Sequence, residues 1–305
     1  MEENTCMSPA VEKKKCKIIS FATRKGGVGK TTLATTIAEF LASRGLDGQT
    51  WDSYRVLVVD IDPQASASTC MIGDARWKEC DDAGQTVYQM FYDALHGTTV
   101  FDIDKAIVKN ASNLGTKNLH LLPSSIKLED IKSELNQIGK NSKYHCVTAA
   151  GVLNKHLAQI KDRYDVIIID CPPDMGIPTQ NALAVSDGYI IPTYPEYQSV
   201  YGIPTVIKYI REMGVELGKE IKPYGIIVNR FRSAVGMHKA QLSLLKNDPK
   251  NPPVFDVLID ERAKLGESAE YDSGVTTIKG KYGGLNTTYP VLMALTREFI
   301  DKVSV

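Results

Sequence analysis

The sequence predicts an α/β chain: a single doubly wound, mostly parallel sheet with helices on both faces. Two observations carry that prediction. Runs dense in Val and Ile recur at 18–22, 55–60, 118–122, 164–170, 188–193, 224–229 and 254–259, and strands apolar on both faces are those covered by a layer on each side. Helical patterns at 33–42, 86–95, 128–138, 149–160, 203–213 and 237–245 separate them, the alternation expected of parallel strands joined by crossover helices. Residues 1–15, with Lys13, Lys14 and Lys15 at their end, read as a flexible, solvated lead-in, and 16–305 as one domain. In such sheets chemistry sits beyond the carboxyl ends of the strands, so the residues after each run matter most.

After the first run comes Arg24-Lys25-Gly26-Gly27-Val28-Gly29-Lys30-Thr31-Thr32, opening directly into a helical pattern. Strand, glycine loop and helix in that order make a phosphate cradle. The small residues let backbone N–H groups turn toward anionic oxygens at the positive end of the helix. Lys30 would reach terminal phosphates and the Thr31 hydroxyl would ligate Mg²⁺. Arg24 stands where the common form of this loop, the Walker A pattern, has its first glycine, so the loop is a deviant form. Lys25 is an added cation that a loop merely holding a nucleotide does not need.

The second run ends in Asp60-Ile61-Asp62-Pro63-Gln64, and the run at 164–170 ends in Asp170-Cys171-Pro172-Pro173. An aspartate closing an apolar strand stands at the sheet edge near a metal without entering the core, which makes Asp170 a candidate Mg²⁺ or metal-water partner. Asp60 and Asp62 lie two apart, on the same side of a continuing strand. One could hold metal water while the other positions the attacking water; spacing leaves the division open.

Bulk composition excludes several classes. With 305 residues, 43% hydrophobic, 24% charged and a formal net charge of +0, the chain has ordinary globular composition. No overall basicity announces nucleic acid, so any DNA contact must come from a local patch. No apolar run approaches the roughly 20 residues that span a bilayer, and no secretory apolar core begins the chain, so a cytoplasmic location is expected. Cys6, Cys16, Cys70, Cys80, Cys146 and Cys171 show no close metal-ligand spacing and read as reduced, mostly buried thiols.

The motifs in this order resemble the ParA/Soj group of deviant Walker A ATPases in the ParA/MinD superfamily, and the resemblance spans most of the chain. It runs through the loop at 25–32, the segment 60–64, the run 164–173, then Asn181-Ala182-Leu183, Asp187-Gly188 and Ile191-Pro-Thr-Tyr-Pro-Glu-Tyr197. It implies ATP and Mg²⁺ as cofactors. Lys25 would be the signature lysine reaching across an ATP-bound homodimer, while Lys30, Thr31 and Thr32, with the loop residues Gly26, Gly27, Val28 and Gly29, would hold phosphate and metal within one subunit. Asp62 would be the hydrolytic switch, Asp60 its metal-side neighbour and Asp170 the Walker B acid; Asn229 and Arg230 would contact adenine.

The same resemblance implies nonspecific DNA binding by the ATP dimer through Arg232 and Lys264. Lys239, Lys246, Lys250, Lys279 and Lys281 lie in the same C-terminal third. Hydrolysis would be slow until a ParB-like centromere-binding protein stimulates it. No helix-turn-helix precedes the loop, so operator-specific binding is not expected. The alternative is a MinD-like membrane-positioning ATPase, which needs a basic amphipathic C-terminal helix; residues 295–305 alternate charges of both signs, and no stable membrane association is expected. A metabolic relative, an iron protein or a ligase, lacks a cysteine setting or substrate motif. Two stretches depart from the pattern: 71–84, with Trp77, reads as an insertion, and 271–288, with Gly283-Gly284, reads as a mobile loop.

Overall fold

The computed structural model describes residues 15–43, 53–114, 116–138, 148–261, 263–268, 270–284 and 288–305. In chain order the first half runs β1 (Lys17–Phe21), α1 (Lys30–Ala42), β2 (Val56–Asp60), α2 (Ser66–Asp82), α3 (Val87–His96), α4 (Ile103–Ala106), β3 (Leu119–Leu122), α5 (Lys127–Ile131), α6 (Val152–Leu157) and β4 (Val166–Asp170). The second half follows with α7 (Ile177–Val185), β5 (Gly188–Thr193), α8 (Tyr197–Tyr201), α9 (Ile203–Glu216), β6 (Lys222–Val228), α10 (Gly236–Asn247), α11 (Ala263–Glu267), α12 (Ile278–Tyr282) and α13 (Tyr289–Val303).

The strands form one six-stranded sheet in the order β3-β2-β4-β1-β5-β6, and every pairing is parallel. Strands β2, β4 and β5 are buried at every position, as residues sandwiched between two helical layers must be. On one face Ile19, Phe21, Val58 and Ile168 pack with α1 and α13; on the other Leu57, Val59, Ile167 and Ile169 pack with α3 and α6. Registers of β1, β2 and β4 bring Phe21, Asp60 and Asp170 level with one another at the carboxyl edge. That alignment builds the site.

Two expectations are corrected. The run at 254–259 is not a strand. It follows β6 only through isolated bridges, Val254 with Ile226 and Asp260 with Phe231. Between them the Glu298 carboxylate takes the backbone N–H groups of Asp256 and Val257 at 2.8 and 3.0 Å, so those donors are lost to a ladder.

The stretch 71–84, read as an insertion, is mostly α2, kinked at Gly73 and pinned where the Trp77 indole donates to the Ser124 carbonyl at 2.9 Å. Within 271–288, α12 is built into the core, with Tyr282 only 1% exposed, in place of the expected mobile loop; 285–287 lie outside the described residues. The tail at 1–14, with Cys6, and Cys146 also lie outside them, whereas Cys16, Cys70, Cys80 and Cys171 are buried free thiols as expected.

Candidate functional site

Helix α1 begins without the usual protections of a helix start. Its N-terminus has no side-chain cap and no acidic residue in its first turn, which leaves backbone donors and the positive end of the dipole facing the loop. Gly29 is required there. Its φ is +83°, and a Cβ on it would meet Asn229 Nδ2 at 2.3 Å; only glycine accepts both that backbone and that approach. Asn229, 4% exposed, spends its amide on this contact: Nδ2 donates to the Val28 carbonyl at 3.0 Å and Oδ1 accepts from the Arg230 N–H at 2.9 Å. The Tyr194 hydroxyl donates to the Gly27 carbonyl, so the loop is held from β5 and β6 together.

Lys30 turns inward. Its Nζ lies 2.6 Å from Asp170 Oδ1 and 3.8 Å from Asp62 Oδ2, and the Thr31 hydroxyl donates to Asp170 Oδ2 at 2.7 Å. Burial acts to lower the Lys30 pKa, but the facing Asp170 and Asp62 more than offset it and the net direction is up. Asp62 is raised, first by burial. Asp60, wholly buried beside Asp170, is pushed up to about 7 by burial and by that neighbour.

The two aspartates of the 60–64 segment divide their work in space. Asp60 Oδ2 accepts from the Ser68 N–H and hydroxyl at 2.9 and 2.7 Å, and its Oδ1 from the Asp62 N–H at 3.1 Å. It thereby ties the first turn of α2 to the end of β2. Asp62 instead faces Lys30 while accepting the Gln64 N–H at 3.0 Å. Ser68 was missed by sequence reasoning, although a serine eight residues after a strand-end aspartate, inside a helix start, was the available signal.

Lys25 does not join this cluster. Its Nζ donates to Gln198 Oε1 of α8 at 3.1 Å on an exposed face, beside the stacked and exposed Tyr197 and Tyr201. Residues 26–29 separate the two lysines, with Gly27 at φ +74°. A cleft of about 260 Å³ opens on the other flank of the loop, lined by Gly29, Thr32, Arg230 and Glu261 among others. Arg230, itself at φ +51°, lays its guanidinium 4.8 Å over the Tyr194 ring.

The C-terminal cations fare differently. Arg232 is exposed, and its guanidinium is held by Glu261. Lys264 lies in α11, and its side chain is outside the described residues. Lys281 is corrected outright: it is no surface cation but is buried, 2.8 Å from Glu39 of α1. The Tyr282 hydroxyl donates to the same carboxylate at 2.5 Å. Glu39, the one acidic residue of α1 and followed by Phe40-Leu41-Ala42, was the signal that a buried partner existed.

Among the described residues no group of three or more His, Cys, Asp or Glu side chains is arranged to hold a metal ion. The donors at the loop are a hydroxyl and a carboxylate, hard oxygens that suit Mg²⁺ when phosphate and water complete the shell.

Residues 16–222 match the family described as AAA domain. The chain is 29% identical over 255 residues to the sporulation initiation inhibitor protein Soj of Bacillus subtilis, covering 84% of this chain and 88% of Soj. A plasmid partition protein of Borrelia burgdorferi bound to AMPPNP superposes with a TM-score of 0.62 at 25% identity, over 95% of this chain and all of that one. Cobyrinic acid a,c-diamide synthase of Mycobacterium smegmatis, with an ATP analogue and magnesium, superposes at 0.63 with 25% identity, over 82% and 89%. With the deviant glycine loop, the three strand-end aspartates and the parallel sheet already in place, the chain belongs to the AAA-domain family and, within it, to the ParA/Soj-type ATPases of the ParA/MinD superfamily.

Proposed function

We propose that the chain is an ATP-dependent DNA partition ATPase, in which Mg–ATP closes a homodimer that binds DNA without sequence preference and hydrolysis opens it. The observation that carries this reading is the opposite fate of two lysines on one loop. Lys30 is drawn into the carboxylate cluster, whereas Lys25 bonds away from it on an exposed face. A cation on the phosphate loop that its own site does not use is suited to a neighbouring subunit's phosphates, as an arginine finger is.

In this reading the N–H groups from Gly26 to Thr32 and the Lys30 ammonium take the phosphates. The base enters the cleft beside Arg230, while Asn229 acts by bracing the loop. Nucleotide would draw Lys30 off Asp170, since triphosphate oxygens offer it a stronger charge. Thr31 and Asp170 would hold Mg²⁺, which would offset charge on the transferred phosphoryl group. Asp62, poised by Lys30, positions the attacking water. Asp60 serves as the brace of α2 rather than as a ligand, because its oxygens already accept three protein donors.

Two relatives in the comparison were solved with ATP analogues, one of them a plasmid partition protein, which supports ATP as the ligand. DNA contact is assigned to Arg232 and Lys264, through phosphate and without base readout, and release to a centromere-binding partner that stimulates hydrolysis. A membrane-positioning role finds less support. Helix α13 buries Tyr289, Leu292, Leu295, Phe299 and Val303 in the core, leaving no apolar stripe of that helix for lipid.

The test is sedimentation equilibrium with ATP, with ADP and without nucleotide. Dimer with ATP alone, lost in Lys25→Ala while ATP still binds, is the expected result. A chain that stays monomeric with ATP, or dimerises equally in Lys25→Ala, would contradict the trans role.

A further inference from the structure

Arg232 and Glu261 form an ion pair at the protein surface, with side chains 60% and 41% exposed. Arg232 directs Nε and Nη2 at the single oxygen Oε2 of Glu261. Its backbone is fixed independently, the N–H donating to His238 Nδ1 at 3.0 Å. A guanidinium paired with a carboxylate has its donors on an anionic oxygen, and a DNA phosphate would compete for the same donors. Glu261 also has a second face. It lines the cleft beside Gly29, Thr32 and Arg230, the cleft assigned above to the nucleotide base.

The geometry points to Glu261 as a built-in phosphate mimic that masks Arg232 until nucleotide fills the cleft. This rests on the partition reading, because it concerns the DNA-contacting arginine of that reading. Without nucleotide, the Glu261 carboxylate occupies the guanidinium donors and sets a negative charge where a DNA phosphate would have to come. A nucleotide in the cleft brings sugar hydroxyls and base donors that compete for the carboxylate, and its phosphates add repulsion. Both effects are differential contacts that favour a chain with Glu261 turned away. An exposed ion pair is weak, so the mask is a tunable gate rather than a lock. It adds to whatever two-site DNA binding the dimer itself supplies.

The experiment measures binding to random-sequence duplex DNA by fluorescence anisotropy at low salt, for the wild-type chain, Glu261→Gln, and Glu261→Gln with Arg232→Ala, each with ATP and without nucleotide. Glu261→Gln keeps the shape and removes the charge at an exposed position. It should bind DNA about threefold to fivefold more tightly than wild type without nucleotide, with a smaller gain on adding ATP. Arg232→Ala in that background should cancel the gain.

A second readout needs no DNA. The side-chain Nε–Hε resonance of Arg232 in ¹⁵N NMR should shift when AMPPNP is added to the wild-type chain. If wild type binds DNA with ATP but Glu261→Gln without nucleotide matches wild type, or if the Arg232 resonance is unmoved at saturating AMPPNP, the mask is overturned and the partition reading stands. If wild type with ATP binds no DNA at any salt, the partition reading falls and the mask falls with it.

Discussion

Lys30 and Lys281 are both buried, both paired with a carboxylate, and both tied to helix α1, one at its first residue and one through Glu39, roughly 13 Å further along the axis. For each, burial opposes the charge and facing carboxylates more than offset it, so both pKa values lie above that of a free lysine. What separates them is the surplus of negative charge. Lys281 meets one carboxylate, Glu39, which the Tyr282 hydroxyl and the Ser112 hydroxyl also satisfy; the charges balance and the group is a rivet. Lys30 faces two aspartates, Asp170 and Asp62, with Asp60 buried against Asp170, beside a helix N-terminus without a cap. An imbalance of that kind is costly unless a cation and an anion arrive together, which is what Mg–ATP brings. The lesson is that a buried ion pair signals function when its charges do not cancel.

The comparison is tested most forcefully by exchanging the losses. Lys30→Ala should lower ATP turnover per folded molecule by roughly 10³-fold, as removal of a group that stabilises transferring phosphoryl charge does. Lys281→Met should act on stability alone. It leaves Glu39 charged and uncompensated in the core, at a cost of about 3–5 kcal/mol, seen as a melting temperature lower by roughly 10 °C, with turnover per folded molecule unchanged. Glu39→Leu combined with Lys281→Met should recover much of that stability, since an apolar pair is often as stable as the ions it replaces. Recovery of nothing would show that the rivet holds α12 by more than charge.

Gly29→Ala sharpens the loop side. The added methyl meets the Asn229 amide, so a loss of about 1–3 kcal/mol is expected. It should appear as weakened AMPPNP binding by calorimetry along with reduced stability. The smallest effect concerns pH and separates both lysines from acid sensitivity. Their raised pKa values keep them charged throughout the acid range. His156, packed edge-on against Phe101, is pushed down to about 4 by burial and by Lys155. Unfolded, it takes a proton near 6.5, so the unfolded state binds more protons between pH 6.5 and 4. Its contribution is complete above pH 6.5 and is lost as pH falls toward 4, by about 1 kcal/mol after allowing for partial solvent exposure. His156→Gln should flatten that part of the pH–stability curve.

The site was legible where function and local pattern coincide. The glycine loop, Lys30, Thr31, Asp62 and Asp170 stand together because strand ends in a parallel sheet converge at one edge, and apolar runs mark where strands end. The fold class was legible for the same reason. The rest depended on contacts distant in sequence. Nothing near Lys281 announces Glu39, 242 residues away, so it looked like one more surface lysine. The run at 254–259 has the composition of a strand, yet a carboxylate from α13 takes its donors. The role of Ser68 in holding Asp60 depends on α2 starting at Ser66, close behind the end of β2, a start that no helical pattern in the sequence marks.

The most direct test of the central claim is equilibrium binding of the purified chain to random-sequence duplex DNA with ATP, with ADP and without nucleotide, across a salt series. The account predicts tight binding with ATP alone, falling linearly in log affinity with log salt as neutralised phosphates release their counterions. Dimerisation with ATP but no DNA binding at any salt would contradict it.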